Sequence, residues 1–166
     1  TSLREIAARL GTSHQGLLYH FESKQDLLLA VLRRRDELDV KAFGLVAGAG
    51  LDSLRGLIAL QEKNTLRRRI VELFAQLSAE ATQAGHPAHA FFQERYRRVL
   101  DEVRGAYRAA QAAGCLRPEV DPETAAELLV AVMDGLQIQW LLGQGADPVG
   151  ALRSHIQAQL IPATVL

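Results

Sequence analysis

Apolar residues recur at intervals of three and four along almost the whole chain, and nowhere do they alternate convincingly with polar ones over the length of a strand. That spacing puts them on one side of a 3.6-residue helix, so the chain is predicted to be all-α. The punctuation agrees. Ser2 is followed three residues later by Glu5, a capping box, and Ser13 and Ser23 stand at two further helix starts. Asp121-Pro122 and Asp147-Pro148 each read as a cap followed by proline at the first helical position. About eight helices are expected. Three lie before residue 44, the third running from Ser23 to about Phe43. A short helix follows around 51–58, and another runs from Leu66 towards Gly85. A long helix extends from about Pro87 to Gly114, and the last two cover roughly 122–142 and 147–160. No internal repeat is visible.

Composition narrows the classes. The chain has 166 residues, of which 48% are apolar, enough for a packed core, and its formal net charge is zero. Bulk charge therefore recommends neither nucleic acid nor membrane. Cys115 is the single cysteine, which excludes a disulfide framework and fits a reducing cytoplasm. The most apolar run, "LLVAVM" at 128–133, stops at Asp134, short of the ~20 residues a membrane span needs. The chain starts at Thr1, directly at a helix cap and without a methionine, and is expected to be part of a longer protein. The break "GLVAGAGLD" divides residues 1–43 from 44–166. Its Gly48-Ala49-Gly50 is no nucleotide fingerprint, because no strand precedes it.

The stretch "GTSHQGLLYHFESK" at 11–24 contains a helix barely two turns long between two breaks. So short a helix has little stability alone. With the helix before it, and Gly11 at the turn, it forms a predicted helix-turn-helix. Ala7 allows close approach; Ile6 and Leu10 face inward, and Leu17, Leu18 and Phe21 are expected to anchor the second helix. Thr12, Ser13, His14, Gln15 and Tyr19 are left outward, at or near the end that meets base edges in a major groove. Gln15 suits a bidentate contact to adenine, and Ser13 or His14 can donate to phosphates or bases. Lys24 opens the next helix, where backbone N–H groups already favour a phosphate.

The same residues carry a family resemblance. "SLREIAARLGTSHQGLLYHFESKQDLLLAVL" resembles the DNA-binding region of the tetracycline-repressor-like (TetR) family. The family's Ile-Ala-x-x-x-Gly turn falls on Ile6, Ala7 and Gly11, its His-Phe pair on His20 and Phe21, and its Ser-Lys-x-x-Leu start on Ser23, Lys24 and Leu27. His20 thereby joins the candidate DNA-contacting residues. The remainder is similar to the family in helix number and order, with "HPAHAFFQERYRRVLDEV" and "DGLQIQWLL" resembling one branch of its ligand-binding domains. The resemblance implies a homodimeric regulator, usually a repressor, released from a palindromic operator by a small-molecule effector. It also implies a further basic helix ahead of residue 1. Leu18 stands where many members have tyrosine, with Tyr19 displaced by one.

The helix "AAELLVAVMDGLQIQWLL" is apolar on more than one face, so it is either central or covered by a partner. Leu129, Val132, Leu136 and Trp140, with Leu152, Ile156 and Leu160 of the last helix, are the expected seam of a symmetric four-helix dimer interface. The candidate lining of a hydrophobic or aromatic effector cavity is Phe74, Phe91, Tyr96, Tyr107, Met133, Gln137 and Trp140. "RRR" at 33–35 reads as a solvated face. His86 and His89 have ligand spacing without a completing set, so a local cap or surface role is expected and neither metal nor cofactor is called for. His155 reads as an interface or surface residue, and Cys115 as a small apolar one. No nucleophile elbow, phosphate loop or zinc-protease motif supports an enzyme. A helical protein–protein adaptor without DNA binding is the other reading.

Overall fold

The computed structural model describes residues 2–45, 49–145 and 147–166. Among the described residues eight helices follow one another: α1 (Leu3–Arg9), α2 (His14–His20), α3 (Lys24–Phe43), α4 (Leu51–Thr65), α5 (Arg68–Glu80), α6 (His89–Ala112), α7 (Pro122–Leu141) and α8 (Pro148–Gln157). The caps stand where the sequence puts them. Ser2, Ser13, Ser23, Asp121 and Asp147 each accept a hydrogen bond from an orphan N–H of the first turn they open. Part of the break between α3 and α4, residues 46–48 with Gly48, lies outside the described residues.

Two apolar clusters organise the packing. The larger joins α4, α6, α7 and α8 through Leu54, Ile58, Val103, Tyr107, Leu129, Leu152 and Ile156. Ala106, Ala110 and Ala126 are buried at the crossing of α6 and α7, where side chains this small let the helices approach closely. The smaller cluster seats α3 against α5 and the start of α6 through Leu29, Leu32, Phe74, Leu77 and Phe92. Thus α3 follows directly on the short helices α1 and α2 in sequence, and packs against α5 and α6. After α8 the chain turns back: Leu160 bridges Leu116, Arg117 N–H donates to Gln159 O at 3.0 Å, and Ile161 N–H donates to Cys115 O at 2.9 Å.

Several expectations need correction. α4 runs to Thr65, because its inward stripe continues in buried polar groups, Gln61 and Asn64, which an apolar count overlooks. Leu66 is exposed in the turn before α5 rather than part of a helix. The expected dimer seam is largely interior: Leu129, Leu152, Ile156 and Leu160 have no exposed surface in a single chain, so they cannot meet a second one. Val132, Leu136 and Trp140 are half-buried. The exposed large apolar residues of α7 and its C-cap are Leu128, Ile138 and Leu142. At about 100° per residue, Ile138 lies opposite Leu129.

Candidate DNA-reading head and effector cavity

Between α1 and α2, Gly11 adopts φ 66°, a left-handed conformation that is costly for residues with a Cβ. The turn closes with Thr12 N–H donating to Ala7 O at 3.0 Å. Ala7 is buried there, and Leu17 is the buried anchor of α2, with Phe21 half-buried one turn on. Leu10 and Leu18 are exposed, contrary to the inward roles expected for them. In so short a helix Leu17 is the single buried position, and Phe21, the extended residue that ends α2, covers the side beyond it.

Thr12, Ser13, Gln15, Tyr19, His20 and Lys24 are exposed, and His14 is half-buried. Ser13 Oγ accepts from Gly16 N–H at 2.9 Å, so it fixes the helix start while keeping its hydroxyl proton to donate. The Tyr19 ring, 87% exposed, stands edge-on to His20 with centroids 5.2 Å apart. Lys24 is the first residue of α3, beside the Ser23 cap.

A cavity of about 90 Å³ lies between α3, α4, α6 and α7. Phe74 from α5 and Leu57, Val103, Val130 and Met133 supply apolar wall; Arg35, Asp36 and Asp39 enter from α3, Asn64 from α4, Arg95, Arg98 and Glu102 from α6, and Asp134 and Gln137 from α7. Outside it lies a wider, open concavity of about 670 Å³ between α3 and α6, which includes Phe91. The two share Asp36, Val40, Arg95, Arg98 and Glu102, which therefore form the wall between them.

That wall is an ion-pair clamp on α3. Arg95 Nε donates to Asp36 Oδ2 at 2.8 Å, and Arg98 Nη2 reaches the same oxygen at 3.4 Å. One turn on, Arg67 donates to both oxygens of Asp39 at 3.1 and 2.9 Å, and Lys63 adds a third bond at 3.2 Å. Burial pushes the Asp39 carboxyl up, but the hydrogen bonds from Arg67 and Lys63 outweigh it and hold the group below the usual carboxylate range. On the far wall Tyr96 donates to Asp134 at 2.8 Å. Burial raises Asp134, against the opposing effects of Tyr96 and Arg95, and burial likewise raises Glu102. Burial lowers the pKa of Arg35.

Of the expected cavity residues, Phe74, Met133 and Gln137 line it, Phe91 lines the outer concavity, and Tyr96 acts through Asp134. Tyr107 does not line it: the ring is fully buried in the larger cluster, its hydroxyl on Gln159. Nor does Trp140, whose ring lies under Arg68 near the end of α7. The charged lining was missed. Arg33 and Arg34 are solvated as expected, but Arg35 is 9% exposed. The readable signal was phase, since Leu28, Leu32, Arg35 and Asp39 continue one stripe of α3. His86 and His89 tie the α5–α6 connection: His86 Nδ1 accepts from Ala88 N–H at 3.1 Å, and His89 Nδ1 lies 2.7 Å from Ala81 O. Among the described residues, no cluster of three or more histidine, cysteine or acidic side chains is placed to hold a metal. Nor is any helix there long and apolar enough to cross a membrane.

Comparison with known proteins decides the family. Residues 1–31 match the family described as bacterial regulatory proteins, tetR family, and residues 51–161 match BetI-type transcriptional repressor, C-terminal. The chain belongs to the TetR family. It is a DNA-binding transcriptional regulator. The HTH-type transcriptional repressor BepR of Brucella suis is 26% identical, over 99% of this chain and 85% of BepR. A transcriptional regulator from Saccharomonospora viridis, solved in complex with choline, is 31% identical, covers 94% of this chain and 82% of its own, and superposes with a TM-score of 0.74. A TetR transcription regulator from Haloarcula marismortui shares the fold, with a TM-score of 0.80 at 18% identity over 97% of this chain and 88% of its own.

Proposed function

We propose that this TetR regulator is a homodimeric cytoplasmic repressor that leaves a palindromic operator when a small, largely apolar or aromatic effector enters the cavity. The observation that carries this reading is the course of α3. One uninterrupted 20-residue helix begins with Lys24 beside the reading helix and carries Arg35, Asp36 and Asp39 into the cavity wall. Eleven residues of helix set those points about 17 Å apart on one rod. Residues 1–43 form the reading head with its rod, and 44–166 the domain that senses and dimerises.

Two reading helices must sit about 34–36 Å apart, one turn of DNA, to engage both half-sites. An effector that re-sets the ion pairs of Asp36 and Asp39 tilts α3 and takes the two heads out of register. Moving occupancy from 99:1 bound to 1:99 requires about 5.5 kcal/mol of differential binding between the two states. The second subunit docks on the exposed apolar side of α7, with Leu128, Ile138 and Leu142.

Selection of binding sites from random DNA by the full-length protein, with Gln15→Ala in parallel at fixed salt, tests the reading. An enriched inverted repeat that the variant binds less selectively supports it. No enrichment at low salt would leave the adaptor as the better description.

A further inference from the structure

The hydrogen-bonding groups of the cavity are unevenly satisfied, and the imbalance has a sign. Asp36 is taken by Arg95 and Arg98, and Asp39 by Arg67 and Lys63. Arg35 is not satisfied in return. Its Nη2 reaches Asn64 Oδ1 at 3.4 Å and its Nε lies 3.5 Å from Asp39 Oδ2 without hydrogen-bond geometry. Among the described residues, Nη1 has no acceptor. On α7, the buried Gln137 Oε1 likewise has no donor among the described residues. The cavity thus presents buried guanidinium donors from α3 and one buried acceptor from α7.

The aromatic lining points the same way. Phe74 carries the guanidinium of Arg95 4.5 Å from its ring centroid and that of Arg35 at 5.5 Å. Tyr96 has Arg95 at 5.9 Å, and Phe91 in the outer concavity has Arg33 at 5.4 Å. A quaternary ammonium is recognised by open ring faces. Here the protein's own cations hold those positions. A guanidinium stacked on a ring keeps its in-plane N–H groups for a planar acceptor, the arrangement that suits a carboxylate. Glu102 and Asp134 also line the cavity, and burial shifts both towards the neutral acid, which weakens their repulsion of an anion.

We propose that the effector is a small carboxylate, its oxygens on Arg35 and a donor group on Gln137 Oε1, and not a quaternary ammonium compound. This rests on the reading of the cavity as the effector site, and it gives that reading its coupling. A carboxylate on Arg35 takes up the donors that Asp39 leaves unsatisfied, and Arg35 is part of α3, so the ligand acts directly on the helix that carries Lys24.

The test is calorimetric titration of the full-length dimer with acetate, benzoate and phenylacetate, against benzamide and choline, with operator release measured in parallel. The expected result is that at least one carboxylate binds at least tenfold more tightly than benzamide and choline. Arg35→Met should abolish that preference, and Gln137→Leu is a second variant should Arg35→Met fail to fold. Choline binding more tightly than every carboxylate would overturn the proposal, as would a carboxylate preference undiminished in Arg35→Met. Absence of carboxylate binding at millimolar concentration would overturn it too. Operator release by choline would then leave the repressor reading standing, whereas that reading fails separately if no DNA site is selected at all.

Discussion

Asp36 and Arg95 lie 59 residues apart in sequence, yet they close a 2.8 Å ion pair that fastens the middle of α3 to α6, with both side chains largely buried. Breaking a buried pair by removing one partner typically costs 3–5 kcal/mol, because the other charge stays buried and uncompensated. Both side chains keep some contact with water, which places Asp36→Ala at the lower end of that range, a loss of about 3 kcal/mol. The midpoint of urea unfolding measures it. An unchanged midpoint would mean that the pair does not hold α3.

The reading head separates specificity from affinity. Gln15→Ala should cost about 1–3 kcal/mol of discrimination at one base position. Lys24→Ala should weaken binding to all sequences alike and reduce the slope of log affinity against log salt by about one. Titrations of matched and mismatched operators at three salt concentrations distinguish the two. Equal loss on both operators for Gln15→Ala would remove it from base contact.

The face of α7 proposed to meet a second subunit can be tested by contrast. Ile138→Arg places charge on an exposed apolar surface and should give a folded monomer in sedimentation at micromolar concentration. Leu129→Ala opens a space in the core and should cost about 2–5 kcal/mol of stability. A dimer that persists with Ile138→Arg places the seam elsewhere.

Asp134 has a pH signature. Its pKa in the folded chain lies above its unfolded value because it is buried, so the folded state retains a proton that the unfolded chain releases from about pH 4 upward. Stability should therefore fall as pH rises through the interval between the two values, and Glu102 acts in the same direction. Asp39, shifted down, contributes stability that is lost as pH falls below the usual carboxylate range. Asp134→Asn keeps an acceptor for Tyr96 and should raise the melting temperature at pH 7–8 while flattening the alkaline side of the profile. A profile identical to wild type would show that Asp134 does not titrate in this interval.

Much of this protein is local information. Five of the helices begin at Ser2, Ser13, Ser23, Asp121 and Asp147 because a side-chain oxygen there satisfies backbone donors a few residues away, and nothing distant is needed. Gly11 and the short α2 define the reading head in the same local way. Phase was harder to read. A helix apolar on several sides, as α7 is, contains no signal for which side the rest of the chain covers, and so Leu129 and Ile138 could not be told apart. The tertiary structure decided that; for Arg35 the phase of α3 marked its side of the helix, and the packing decided that this side is buried while Arg33 and Arg34 stay solvated. A charge is buried or solvated according to partners such as Asn64 and the Phe74 ring, which distant segments supply. The sequence by itself therefore determined helices, caps and family, and only the packing of those helices determined the charged chemistry of the cavity.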